Sequence, residues 1–275
     1  MLNSLEFTMG RLVDHPSILQ AFDIDVTNMC LAIDYFPGQE LIEYVELVRQ
    51  EKHSHLPQLK LSSIIDIQRQ LLDVLVHFNE RGLAHLDIKH ENILVKHYKA
   101  HEIIDTTNNI NSNTDTNINT TNNQNTLGSN VYFDEYKYEI KIIDLAMVRS
   151  NTPTDEILGT PEMHSLDQMQ QRVYTPELVD SWCWGLILFS LLYGADLWDL
   201  CSLQQFYSMR IDVLVKHVRA SFKFPHDPRD ITLLTQQFNS LLLNTMTQRE
   251  SKRLTIVELQ YLFTQIRIAM GLGDL

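Results

Sequence analysis

Cysteine, glycine and clustered basic charge are all scarce in this chain, and each scarcity argues against a class of function. Cys30, Cys183 and Cys201 are an odd number of cysteines at unrelated spacings in 275 residues, which fits reduced thiols better than a disulfide framework. The 22 lysines and arginines stand against 35 aspartates and glutamates, for a net charge of −13. Without a basic run the chain lacks what a nucleic-acid or anionic-membrane surface requires. Its longest apolar stretch, around Trp182 to Tyr193, is too short to span a bilayer. The first residues lack the basic start and apolar core of a signal peptide. These features together predict an intracellular protein, cytoplasmic or nuclear. The nine glycines contain no G-x-G-x-x-G, and no lysine precedes Lys52. His85, His90, His97 and His101 have no cysteine or acid at a recognisable ligand spacing, so no zinc site is expected.

What is present is enough apolar residue, 44%, for a proper core, and one stretch around which the chain is arranged. A helical stripe, Ile64, Ile67, Leu71, Leu75 and Phe78, ends at Gly82, as a helix ends at a C′ glycine. His85-Leu86-Asp87-Ile88-Lys89-His90-Glu91-Asn92 follows, leading into Ile93-Leu94-Val95. An acid, a lysine and an amide at positions 0, +2 and +5 of a loop can converge on one point. Downstream come Asp144-Leu145-Ala146 after the strand pattern Ile140 to Ile143, then Gly159-Thr160-Pro161-Glu162, Asp180-Ser181-Trp182-Cys183-Trp184-Gly185 and Arg253.

This ordered set resembles the eukaryotic protein kinases of the serine/threonine type. Asp87, Lys89 and Asn92 match H-R-D-x-K-x-x-N, Asp144 matches the acid of D-F-G, and Thr160 matches the threonine of G-T-P-E. Asp180 opens the counterpart of D-x-W-S-x-G. The resemblance implies ATP and Mg2+ as cofactors. Asp87 would orient the substrate hydroxyl, Lys89 would hold the transferred phosphate, Asn92 and Asp144 would ligate magnesium, and Thr160 would bond Asp87 and Lys89. It further places a hinge at Asp34 to Gly38 after the gatekeeper Ile33. The backbone of Asp34 and Phe36 would meet the adenine, with Leu94 also on the nucleotide. Glu40 would reach the ribose or a basic substrate residue, or simply open a helix on the surface. Glu6, nine residues before His15-Pro16, is either the acid that pairs with the ATP lysine or a solvated helix glutamate.

The implied fold is α+β and protein-kinase-like, mostly the helical large lobe with a truncated small lobe. Residues 1–36 read as the small-lobe remnant and 37–270 as the helical large lobe. Within the latter, the Asn/Thr-rich 106–130 reads as a disordered insertion. Strand patterns fall at Ile18 to Ile24 and Met29 to Tyr35, and helical ones at 1–14, 62–81, 180–193 and 231–246. Thr255-Ile256-Val257-Glu258 reads as a capping box. Departures from the family are Leu86 for arginine, Ala146 for glycine, and Asp167 for the glutamate that pairs with Arg253. Two functions remain open on this reading. One is a protein kinase acting on serine or threonine of a protein substrate. The other is a catalytically impaired kinase-like module whose truncated small lobe is covered by a protein partner.

Overall fold

The computed structural model describes residues 2–49, 60–99, 136–193, 197 and 231–272. The 106–130 segment, His101 and Cys201 lie outside the described residues. Helix α1, Leu2–Leu12, leads to an antiparallel hairpin of β1, Ala21–Asp25, and β2, Cys30–Ile33. Its turn is held by Asp25 Oδ1, which accepts from the amides of Thr27 at 2.9 Å and Asn28 at 3.1 Å. Both strands are shorter than the sequence pattern predicts. Ile18 forms an isolated parallel bridge to Ile142, and the Asp34 amide donates to Gln20 O at 2.9 Å beyond the ladder's end.

The short strand β3, Gln39–Glu40, runs straight into α2, Leu41–Arg49. Helix α3, Leu61–Asn79, buries all five residues of the predicted apolar stripe. Gly82 adopts φ +66° with nothing near an added Cβ, so the left-handed backbone is what asks for glycine there. Strand β4, Leu83–Ala84, precedes the loop of interest, which closes in a 3₁₀ turn at His90–Asn92. Strands β5, Ile93–Lys99, and β6, Tyr136–Ile142, pair antiparallel from Ile93↔Ile142 to Lys99↔Tyr136, with β3 on the other side of β5. Strand β7, Arg149–Ser150, pairs with β4.

Helix α4, Leu166–Met169, is short, and α5, Pro176–Tyr193, starts with proline at its first position, where a missing N–H costs nothing. Every residue of α5 except Glu177 is buried. Helices α6, Ile231–Thr245, and α7, Ile256–Ala269, complete the bundle. Thr255 caps α7 by the box expected of it, Glu258 Oε2 accepting from the Thr255 amide at 2.9 Å. The core forms where α3, α5 and α7 meet: Trp184 Nε1 donates to Gln68 O at 3.1 Å and its ring lies 5.2 Å from Phe263. Among the described residues no helix is long and apolar enough to cross a membrane.

Candidate active site

The loop between β4 and β5 is fastened from beneath. Asp180 of α5 accepts the amide of His85 at 2.7 Å and that of Leu86 at 2.8 Å. Burial pushes the Asp180 carboxyl up to about 7, against the pull of those two amides. Leu86 sits at φ +66° with its side chain buried. A leucine there is strained, and the two bonds to Asp180 help offset the strain. His85, fully buried, is pushed down to about 4 by desolvation, opposed by the carboxylates of Asp87 and Asp144. One imidazole therefore feels both acids, which stand far apart in the chain.

Asp87 collects the donors around it. Its Oδ1 accepts from the Thr160 hydroxyl at 2.6 Å and the Thr160 amide at 2.9 Å. Its Oδ2 accepts from Asn92 Nδ2 at 3.0 Å and lies 3.4 Å from Lys89 Nζ, which also donates to Thr160 Oγ1 at 2.7 Å. Burial works against its charge, but the Thr160 hydroxyl, Lys89, His85 and Asn92 outweigh that and hold the carboxyl below its ordinary value. A carboxylate has about four lone-pair sites; three accept hydrogen bonds and Lys89 makes only an ion contact, so room remains on Oδ2 for one more donor.

Asn92 Nδ2 also donates to Asp87 O at 2.9 Å, which orients the carboxamide oxygen away from Asp87. Asn92 O accepts the Ile143 amide at 3.0 Å, next to Asp144. Asp144 has φ +62°, and its Oδ1 accepts from the Ala146 amide at 3.3 Å. The left-handed residue in this turn is thus Asp144, and Ala146 has no positive φ that would require glycine. Asp87, Lys89, Asn92 and Thr160 form one cluster, with Asp144 beside it.

The residues expected on a nucleotide side are more scattered. Glu6 of α1 is half-buried beside Asp144. Burial raises its carboxyl, the Asp144 charge raises it further, and a hydrogen bond to the Leu145 backbone opposes both. Glu6, Gly10, Ala21, Ile33 and Asp144 help line a cavity of ≈ 20 Å³, space for one water-sized group. The Asp34 amide is already used in its bond to Gln20 O, so only its carbonyl could serve the role expected of a hinge. The Phe36 ring folds against Gly38, with Lys141 Nζ 5.9 Å from its centroid. Glu40 pairs with Leu94 across β3 and β5. Three contributors went unforeseen: Asp180 as an acceptor, His85 as a buried neighbour of both acids, and Gly159. A Cβ on Gly159 would stand 2.2 Å from Leu86 O, so the two loops touch through their backbones.

Asp167 and Arg253 lie 3.7 Å apart. With aspartate in place of glutamate, the ion contact survives without a hydrogen bond. Arg253 bonds Leu178 O and Thr247 O, each at 3.1 Å, instead. Among the described residues no group of three or more histidine, cysteine or acidic side chains could hold a metal ion.

The chain is similar to several serine/threonine protein kinases. It is 35% identical over 94 residues to mitosis inducer protein kinase cdr1 of Schizosaccharomyces pombe, covering 34% of this chain and 14% of that one. It is 23% identical over 259 residues to CBL-interacting serine/threonine-protein kinase 21 of Arabidopsis thaliana, covering 92% of this chain and 48% of the relative. With Aurora kinase C of Mus musculus it shares 26% identity over 219 residues, 78% of this chain and 59% of the relative. The chain therefore spans between 14% and 59% of the length of these relatives. No protein-family model matches. The likeness supports the protein kinase family and implies a protein-kinase-like fold, consistent with the mixed helices and sheets described above.

Proposed function

We propose that this chain carries the phosphoryl-transfer site of a serine/threonine protein kinase, moving the terminal phosphoryl group of ATP to a hydroxyl of a protein substrate. The observation that carries this reading is the convergence of Thr160, Lys89 and Asn92 on one buried carboxylate, Asp87. Such a transition state is loose, so positioning and charge neutralisation do most of the work. Held below its usual range, Asp87 is ionised at neutral pH. It acts chiefly by accepting a hydrogen bond from the incoming hydroxyl and aiming its oxygen, receiving the proton late. Lys89 is steered by the Thr160 hydroxyl to the edge of the cluster, where its charge can meet a phosphate oxygen.

Asp144 and the carboxamide oxygen of Asn92 are hard oxygen donors on adjacent backbone, a donor set that fits magnesium. The ion would neutralise phosphate charge there. The backbone carbonyl of Asp34, Phe36, Glu40 and Leu94 form the proposed nucleotide side, with Glu6 behind Asp144. A protein substrate is the proposed partner, and the acidic chain carries no basic run to hold nucleic acid or an anionic membrane.

A second reading is favoured by the hairpin. Phe22, Val26 and Met29 are 60%, 74% and 66% exposed on a two-stranded unit that is marginal alone. A kinase-like interaction module, with a protein partner over that face, would use it so. Thermal denaturation with Mg-ATP separates the two readings. Saturation at 100 times the dissociation constant adds about 2.7 kcal/mol, and no shift at saturating nucleotide favours the module. If the chain phosphorylates protein substrates, Asp87→Asn should abolish transfer while leaving the melting transition in place. Unchanged turnover would remove Asp87 from its role.

A further inference from the structure

Thr160 reaches Asp87 from a loop whose own anchorage lies in α4. Leu158 O accepts a hydrogen bond from Gln168 Nε2 at 3.0 Å, and the other end of the same carboxamide, Oε1, accepts the Ser165 amide at 3.0 Å. The side chain is 1% exposed, so its amide is costly unless both ends are satisfied. The Tyr174 hydroxyl, which donates to Glu156 O at 2.7 Å, lies beside this side chain. One buried amide thus ties the backbone two residues before Thr160 to the first turn of α4. Between these ties, Gly159 presses on Leu86 O and its own carbonyl lies 3.3 Å from His164 Nε2.

We infer that Gln168 is a positioning residue: it clamps the 158–160 backbone against the catalytic loop, so that the Thr160 hydroxyl and amide stay on Asp87. Capping α4 would be served equally by glutamate, whose carboxylate accepts the Ser165 amide. Holding the Leu158 carbonyl requires the donor that only the amide supplies. Glutamate at 168 keeps the cap and turns the clamp into a repulsion between two oxygens. Without the clamp the Thr160 bonds open more often, and Lys89 loses the hydroxyl that aims it.

The inference rests on the phosphotransfer reading for its consequence, but its first measurement needs no activity. In Gln168→Glu, hydrogen exchange at the Thr160 amide should be about tenfold faster, as expected when a buried hydrogen bond is lost, while amides of α5 keep their protection. In a phosphorylation assay the same variant should lose about tenfold in kcat, with KM for nucleotide within about twofold. Gln168→Met, which fills the space with neither donor nor acceptor, should behave alike. An unchanged Thr160 amide, or equal acceleration across α5, overturns the assignment. So does failure of both variants to fold, because Gln168 would then be a core residue and no more. If the unsubstituted chain transfers no phosphate under any condition, the proposed function fails, and the exchange result alone decides whether the clamp exists.

Discussion

The α5 helix and the β1–β2 hairpin are both rich in apolar residues, yet they have opposite fates. Trp182, Trp184, Ile187 and Phe189 of α5 have no exposed surface at all, whereas Phe22 of the hairpin is 60% exposed. Composition alone does not make a core. Burial requires facing elements, and α5 is faced by α3, α6 and α7, each contributing its own apolar stripe. The hairpin has α1 against it, and the chain just before it, at Ile18, bridges to Ile142 of β6. Stability should therefore reside in the helical half, and surface properties in the hairpin.

The largest test of this contrast is Trp184→Ala. Removing a buried ring that also donates to Gln68 O should cost about 3–5 kcal/mol in denaturant unfolding. A loss below that range would mean that the helical core is looser than its burial implies. Next is Asp180→Asn, which turns an amide donor toward one of two buried backbone N–H groups and should cost about 1–3 kcal/mol.

The Asp180 substitution should also change the pH profile. Asp180, with its folded value near 7 against 3.8, contributes stability that is fully present below pH 3.8 and lost as pH rises through about 7. His85, with its folded value near 4 against 6.5, contributes stability present above pH 6.5 and lost as pH falls through about 4. In the parent chain the two slopes oppose each other. With asparagine at 180, acidification should lower the unfolding midpoint more steeply, and a profile parallel to the parent's would show that the Asp180 titration is not felt.

A smaller gain is expected from Asp167→Glu, which supplies the methylene whose absence leaves Arg253 at 3.7 Å. A new charge-assisted hydrogen bond should add about 1 kcal/mol, read as a higher unfolding midpoint. The smallest effect belongs to the hairpin. Phe22→Ser should change stability by less than about 0.5 kcal/mol while reducing binding of a hydrophobic dye. A large destabilisation would show the hairpin to be part of the core after all.

The sequence made the Asp87 cluster legible because three of its members lie within six residues, and the spacing that brings them together is local. Thr160 was legible only through family resemblance, since nothing in its neighbourhood announces a bond to a residue 73 positions away. Asp180 was read as the start of a helix, which begins four residues earlier at Pro176, and not as the acceptor of the His85 and Leu86 amides. The available signal was an acid inside an otherwise apolar helix, which must find buried donors. Gln168 is the same kind of case, a polar side chain three residues beyond Ser165 that the capping pattern would explain only in part. The hairpin strands came out shorter than their apolar runs because alternation marks which residues can pair, while the partner decides where pairing stops. The family resemblance predicted the Asp167–Arg253 contact, but the missing hydrogen bond depends on a single methylene and on how far each side chain reaches across the fold.

Strands β5 and β6 are joined in sequence by residues 100–135, and their ladder runs unbroken from Ile93↔Ile142 to Lys99↔Tyr136. Because these pairs fix the phase of β6, the position of Asp144 is insulated from whatever joins the far ends of the strands. Loop closure costs only about 0.6 kcal/mol for each doubling of length. The joint is therefore a natural port: a tag, a fluorophore or a foreign peptide spliced between Lys99 and Tyr136 would ride on the molecule without moving Asp144.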